Sequence, residues 1–123
     1  MGYETKLFIG RKTDMKGFIN KDANFVIEVA SIDLSKSHFP DTQLNKEEDT
    51  ELVYIYGSDG NTEIVEDRYG SRLYAIEPNK VLKFMQEHNK KEKYRRYTAA
   101  IALLKSLIKD FREGELTCIL YGH

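Results

Sequence analysis

The sequence predicts an α+β fold: a mostly antiparallel sheet of five to six strands, two C-terminal helices packed on one face, and a final C-terminal strand. The first observation behind it is a helical stripe in residues 91–112, KEKYRRYTAAIALLKSLIKDFR. Tyr94, Tyr97, Ile101, Leu104, Ile108 and Phe111 recur at spacings of 3, 4, 3, 4 and 3 residues, the period of one helix face. The second is the alternation in residues 24–34, where Phe25, Ile27 and Val29 interleave with Val26, Glu28 and Ala30, the period of a strand. The third is the β-rich run ELVYIY followed by Asp59-Gly60, a pair that suits a tight hairpin turn.

Taken in order, residues 3–11 read as a first strand, with LFIG as its apolar centre and Gly10 at a bulge or an end. Residues 12–16 read as a polar turn, and Gly17, Asn20, Asp22 and Asn24 surround the short apolar pair Phe18 and Ile19. Residues 24–34 form the second strand. Residues 35–50 lack periodicity, with Phe39 and Leu44 as their only large apolar anchors, and leave room for a short helix over 43–49. Residues 51–56, 62–65 and 72–76 make a three-strand meander, the last two joined by a turn at 67–71. Pro78 opens a helix at a position where its missing N–H costs nothing, with Val81, Leu82 and Met85 as its apolar face and Asn89 as its stop. The long helix follows, Gly114 closes it, and ELTCILY over 115–121 supplies the last strand.

A chain of 123 residues is one domain with room for a real core. Fourteen Phe and Tyr residues make it too aromatic for a disordered segment. No apolar run approaches the roughly 20 residues of a membrane span, and the N-terminus lacks the basic start and apolar stretch of a signal peptide. Gly2 invites myristoylation, but Lys6 stands where that motif wants Ser or Thr. The expected location is cytoplasmic. The single Cys118 excludes an intrachain disulfide and reads as a small buried hydrophobe.

The net charge of −1 conceals a segregation. Residues 41–67 hold nine acidic side chains against Lys46, whereas residues 80–112 hold ten basic ones against Glu87, Glu92 and Asp110. The two regions either offset each other within the fold or leave the basic one to meet an anion or an acidic partner. Lys90, Lys91, Lys93, Arg95 and Arg96, with His88 just before, crowd the junction between the helices and are the candidate ligand-binding residues. Such a cluster neutralises phosphates, and a helix N-terminus adds partial positive charge. Tyr94 and Tyr97 interleave with it but share the core stripe, which argues for packing over base stacking.

Other chemistries find little support. His38, His88 and His123 have no metal-ligand spacing, and there is no HExxH, GxSxG, P-loop or GxGxxG. Neither a catalytic group, a metal nor a cofactor is expected. Asp59-Gly60-Asn61 begins like a calcium loop, but Ile64 stands where that loop requires Gly. Ala99 and Ala102 lie off the stripe, so the middle of the long helix is nearly apolar all round. Either a loop such as 35–50 covers that side or a second copy does, making it the expected seam of a homodimer or higher homo-oligomer.

The leading functional expectation is a small non-catalytic binding or sequestering protein, homo-oligomeric, that captures an anionic ligand or acidic partner at the basic junction. Small phage-type inhibitors share this profile, an analogy rather than a derivation. The alternative is an inhibitor whose acidic hairpin side, Glu63, Glu66 and Asp67, docks on a basic nucleic-acid-binding enzyme. A small enzyme acting on a phosphorylated compound ranks third. Direct nucleic-acid binding ranks last, because a pI near 6.3 is low for that work.

Overall fold

The computed structural model describes residues 4–36, 51–68, 70, 72–89 and 95–122. The fold is α+β, and the described residues form five strands and two helices: β1 (Glu4–Lys16), β2 (Asn24–Lys36), β3 (Val53–Tyr56), β4 (Glu63–Ile64), α1 (Pro78–His88), α2 (Arg95–Asp110) and β5 (Leu116–Gly122). The sheet order is β4-β3-β2-β1-β5. All pairings are antiparallel except β2 with β3, a short parallel contact through Asn24–Val53 and Phe25–Tyr54.

The first two strands outrun their expected lengths. The polar run 12–16, expected as a turn, continues β1, because the backbone ladder to β2 carries on through Lys12–Val26 and Lys16–Asn24. Thr13 adds a hydroxyl bond to the Phe25 carbonyl at 2.8 Å. The register slips between Ile9 and Gly10, which makes Gly10 a bulge site. The expected meander is reduced. β4 is two residues long, and residues 72–76 form only isolated bridges, Leu52–Tyr74, Glu66–Arg72 and Ile76–Cys118. The possible helix over 43–49 lies outside the described residues.

Those bridges close the sheet. Val53 N–H donates to Leu73 O at 3.0 Å and Ala75 N–H to Glu51 O at 2.9 Å, while Ile76 and Cys118 exchange two bonds at 2.9 Å. Residues 72–76 therefore join β3 to β5, and the ring β3-β2-β1-β5 meets itself through them. Every wall contributes to the enclosed core: Phe8, Val26, Val53, Ile55, Leu73, Ile119. Closure removes free strand edges where it occurs.

The other face of the sheet carries the helices. Leu7, Ile9, Cys118 and Leu120 alternate with the inward set and pack against Val81 and Met85 of α1 and Tyr97, Ala100 and Leu104 of α2. The buried positions in each helix are spaced three and four apart, as the stripe predicts. Pro78 opens α1, and Asn89 N–H closes it on Met85 O at 3.0 Å. Gly114, at φ +86°, turns the chain out of α2 toward β5. In β2 the expected apolar alternates behave differently. Ile27 and Val29 are exposed while Val26 is buried, because Val29 sits at the bulge and Ile27 pairs with Arg11, beyond the helix-facing core.

The Asp59-Gly60 turn forms as expected, with Gly57 N–H bonded to Thr62 O at 2.8 Å. The Asp59 carboxylate accepts from the Thr62 hydroxyl at 2.6 Å and from the Asn61 and Thr62 N–H groups. These bonds, the Thr62 hydroxyl first, hold its pKa down to about 2. A depressed carboxylate stabilises the fold above its unfolded value and loses that contribution as pH falls through its folded one. We expect the Asp59 carboxyl carbon to titrate near pH 2 by NMR and the hairpin to loosen between about pH 4 and 2. Titration near the ordinary aspartate value would contradict this turn geometry.

Candidate functional site

The basic junction forms where the C-terminus of α1 approaches the N-terminus of α2. His88 ends α1, exposed, with its ring stacked on Phe84 at 4.2 Å between centroids. Arg95 and Arg96 open α2 and are both exposed. Lys90, Lys91 and Lys93 lie outside the described residues; of the six, His88 stands at the end of α1 and Arg95 and Arg96 at the start of α2. Asn89 donates its side-chain amide to the Thr98 hydroxyl at 3.1 Å, tying the two helices across the junction.

The arginines differ in their surroundings. Arg96 donates from Nη1 to the Asp33 carbonyl of β2 at 2.8 Å, which seats the helix end on the sheet and fixes that guanidinium. The first turn of α2 contains no acidic residue, so the partial positive charge of a helix N-terminus and both arginines add in the same sense. Chemically the arrangement can attract and orient an anion. Tyr97 is 1% exposed and belongs to the core, as its place on the stripe implied.

The remaining helix surface is basic and partly apolar. Ala99 and Ala102 are both exposed on α2, as their position off the stripe requires. Leu82, Ala102 and Ile108 floor a groove of about 620 Å³ between the helices, edged by Lys105, Ser106 and Lys109. Sequence reading missed a second feature, a cleft of about 790 Å³ at the far end of the helix pair. Lys12, Glu51, Glu77, Asn79, Arg112 and Glu113 supply its polar lining. It lies one length of α2 from the junction, about 24 Å at 1.5 Å per residue. The Lys12–Glu51 pair at 2.9 Å occupies part of its wall, and its mixed charges favour no one class of ligand. No signal in the sequence marks it, because it assembles from four separate stretches.

Cys118 is fully buried in β5, and burial, with Glu77 nearby, pushes its thiol up and out of reach of thiolate chemistry. Among the described residues no three His, Cys, Asp or Glu side chains gather as a metal centre requires, and no helix is long and apolar enough to cross a membrane. On the acidic side, Glu63 accepts from the Phe18 and Ile19 N–H groups at 2.8 and 3.0 Å, so both its oxygens serve the fold. Asp67 is 8% exposed, and Glu66 is the exposed member of that trio. Comparison with protein-family models, curated proteins and solved structures finds no match to this chain.

Proposed function

We propose that this protein is a non-catalytic binding or sequestering protein, working as a homo-oligomer, that captures an anionic ligand or acidic partner at the α1–α2 junction. One observation carries the reading: Arg95 and Arg96 are exposed in the first turn of α2, which itself holds no acidic residue, and Arg96 is anchored on the Asp33 backbone carbonyl. An anchored guanidinium loses less freedom on binding than a free one, so it binds anions better than a solvated lysine would. An inhibitor of the kind phages encode is one form such a protein takes, and a cytoplasmic setting suits it. The acidic-hairpin alternative is weaker, because Glu63 is engaged by the β1–β2 loop and Asp67 is buried.

Native mass spectrometry of the purified protein tests both halves. A species heavier than one 14.3 kDa chain, carrying added mass that Arg95→Glu removes, is the expected spectrum. A bare monomer, unaffected by Arg95→Glu, would overturn the reading.

A further inference from the structure

Two stretches far apart in the chain meet at one carboxylate. Glu63 of β4 accepts the Phe18 N–H on Oε2 at 2.8 Å and the Ile19 N–H on Oε1 at 3.0 Å. Phe18 and Ile19 are 88% and 82% exposed, so their side chains do not hold the tip of the β1–β2 loop in place. Within the loop, Gly17 N–H bonds Ala23 O at 3.1 Å and Ala23 N–H bonds Asn20 O at 3.3 Å. Those bonds shape its base, and the tip amides are held by Glu63. Gly17, itself buried, seats the carboxylate: a Cβ there would stand 2.7 Å from both Asn20 O and Glu63 Oε1.

The strand that carries Glu63 is lightly secured. β4 is two residues long and pairs with β3 through Ile55–Ile64 and Tyr56–Glu63. The rest of its hold on β3 is the turn that joins them, where Gly57 N–H bonds Thr62 O and the Asp59 carboxylate takes the Asn61 and Thr62 N–H groups and the Thr62 hydroxyl. Ile64, half-buried, is the one large apolar side chain in residues 57–64.

Its surroundings are firmer. On one side, the rings of Tyr54 and Tyr56 in β3 pack on Phe25 of β2 at 5.4 and 4.8 Å between centroids, and Val53 and Ile55 are buried in the enclosed core. On the other, Leu73 N–H ties the chain down again at Val65 O, at 2.8 Å. The weak joint therefore lies between β3 and β4, and residues 57–64 are the part that can lift. Segments with few buried apolar contacts and short ladders open locally well before the whole fold does.

We infer that the β1–β2 tip and the 57–64 hairpin form one conformational switch, with Glu63 as its latch. When β4 parts from β3, the carboxylate leaves with it and the tip is released. Coupling between two sites is reciprocal, so loss of the tip contact loosens β4 in turn. The switch gives Phe18 and Ile19 two states, held in one pose or free, without opening either core. Whatever engages the hairpin thereby biases the tip.

Backbone amide hydrogen exchange, read residue by residue by NMR, tests it. In the wild type the Phe18 and Ile19 amides should be protected despite their exposed side chains, and should open together with those of Gly57 and Thr62. Asp59→Ala, which touches only the turn, should speed exchange at Phe18 and Ile19 about tenfold, the effect of losing a charge-assisted bond. Gly17→Ala, on the tip side, should speed Gly57 and Thr62. Glu63→Ala tests the same reciprocity without crowding the loop, should Gly17→Ala fail to fold. The Ile76 and Cys118 amides, each bonded to the other's carbonyl at 2.9 Å, should keep their rates throughout. Unprotected tip amides in the wild type would overturn the inference, as would an Asp59→Ala hairpin that loosens while Phe18 and Ile19 are unmoved. A Glu63→Ala chain with unchanged Gly57 and Thr62 rates would do the same. So would equal acceleration at Ile76 and Cys118, because the opening would then be that of the whole fold.

Discussion

Leu104→Ala should lower the stability of this fold by about 2–5 kcal/mol, as truncation of a fully buried leucine does. Leu104 is completely shielded, at the centre of the core that α2 shares with α1 and the helix-facing side of the sheet. The loss combines the transfer of its side-chain carbons to water with the cavity left behind, which the neighbouring Leu7, Ile9 and Met85 can fill only in part. Against a total of about 5–15 kcal/mol for an ordinary domain, it would move the urea midpoint strongly with little change in slope. Ala99→Ser, exposed on the same helix, serves as the control and should stay within about 0.5 kcal/mol. A Leu104→Ala loss no larger than the control's would mean that α2 is not seated on this sheet.

Gly10→Ala is the second substitution with a large expected effect, about 1–3 kcal/mol of destabilisation from overpacking. The added methyl would stand 2.3 Å from Val26 Cγ1 and 2.8 Å from the Ile27 carbonyl oxygen. The valine can yield, but the carbonyl belongs to the β1–β2 ladder next to the register slip and cannot move without disturbing it. Val26→Ala should therefore rescue Gly10→Ala in part. The double variant should be more stable than the sum of the singles predicts, the mark of two residues competing for one space. Strict additivity in urea unfolding would contradict that close approach.

The parts of the fold legible in the sequence are those set by local periodicity. The stripe from Tyr97 to Ile108 places α2 correctly, Pro78 and Asn89 bracket α1, and Gly114 marks the exit to β5. The length of β1 was not legible, because Lys12, Asp14 and Lys16 carry no apolar alternation and are held by backbone pairing. Closure of the sheet was equally hidden. The Ile76–Cys118 bridge joins positions whose partnership no local pattern records.

The site follows the same division. That basic residues flank the joint between two helices is plain in the sequence, and the structure leaves His88, Arg95 and Arg96 exposed at the two helix ends. That Arg96 is anchored by a carbonyl 63 residues away could not. Glu63 read as one more carboxylate on an acidic hairpin, whereas it clamps a loop 44 and 45 residues upstream. Phe18 and Ile19 read as a short apolar pair between turn residues. Only burial shows them as the most exposed large hydrophobic side chains described.

The proposal that the helix junction captures anions is tested most directly by titrating ¹⁵N-labelled protein with inorganic tripolyphosphate, followed by amide shifts. The account predicts saturable shifts concentrated at His88, Arg95, Arg96 and the first turn of α2, abolished by Arg95→Glu and weakened steeply by salt. Shifts confined to the distant cleft around Lys12 and Arg112, or no saturable shift at all, would contradict it.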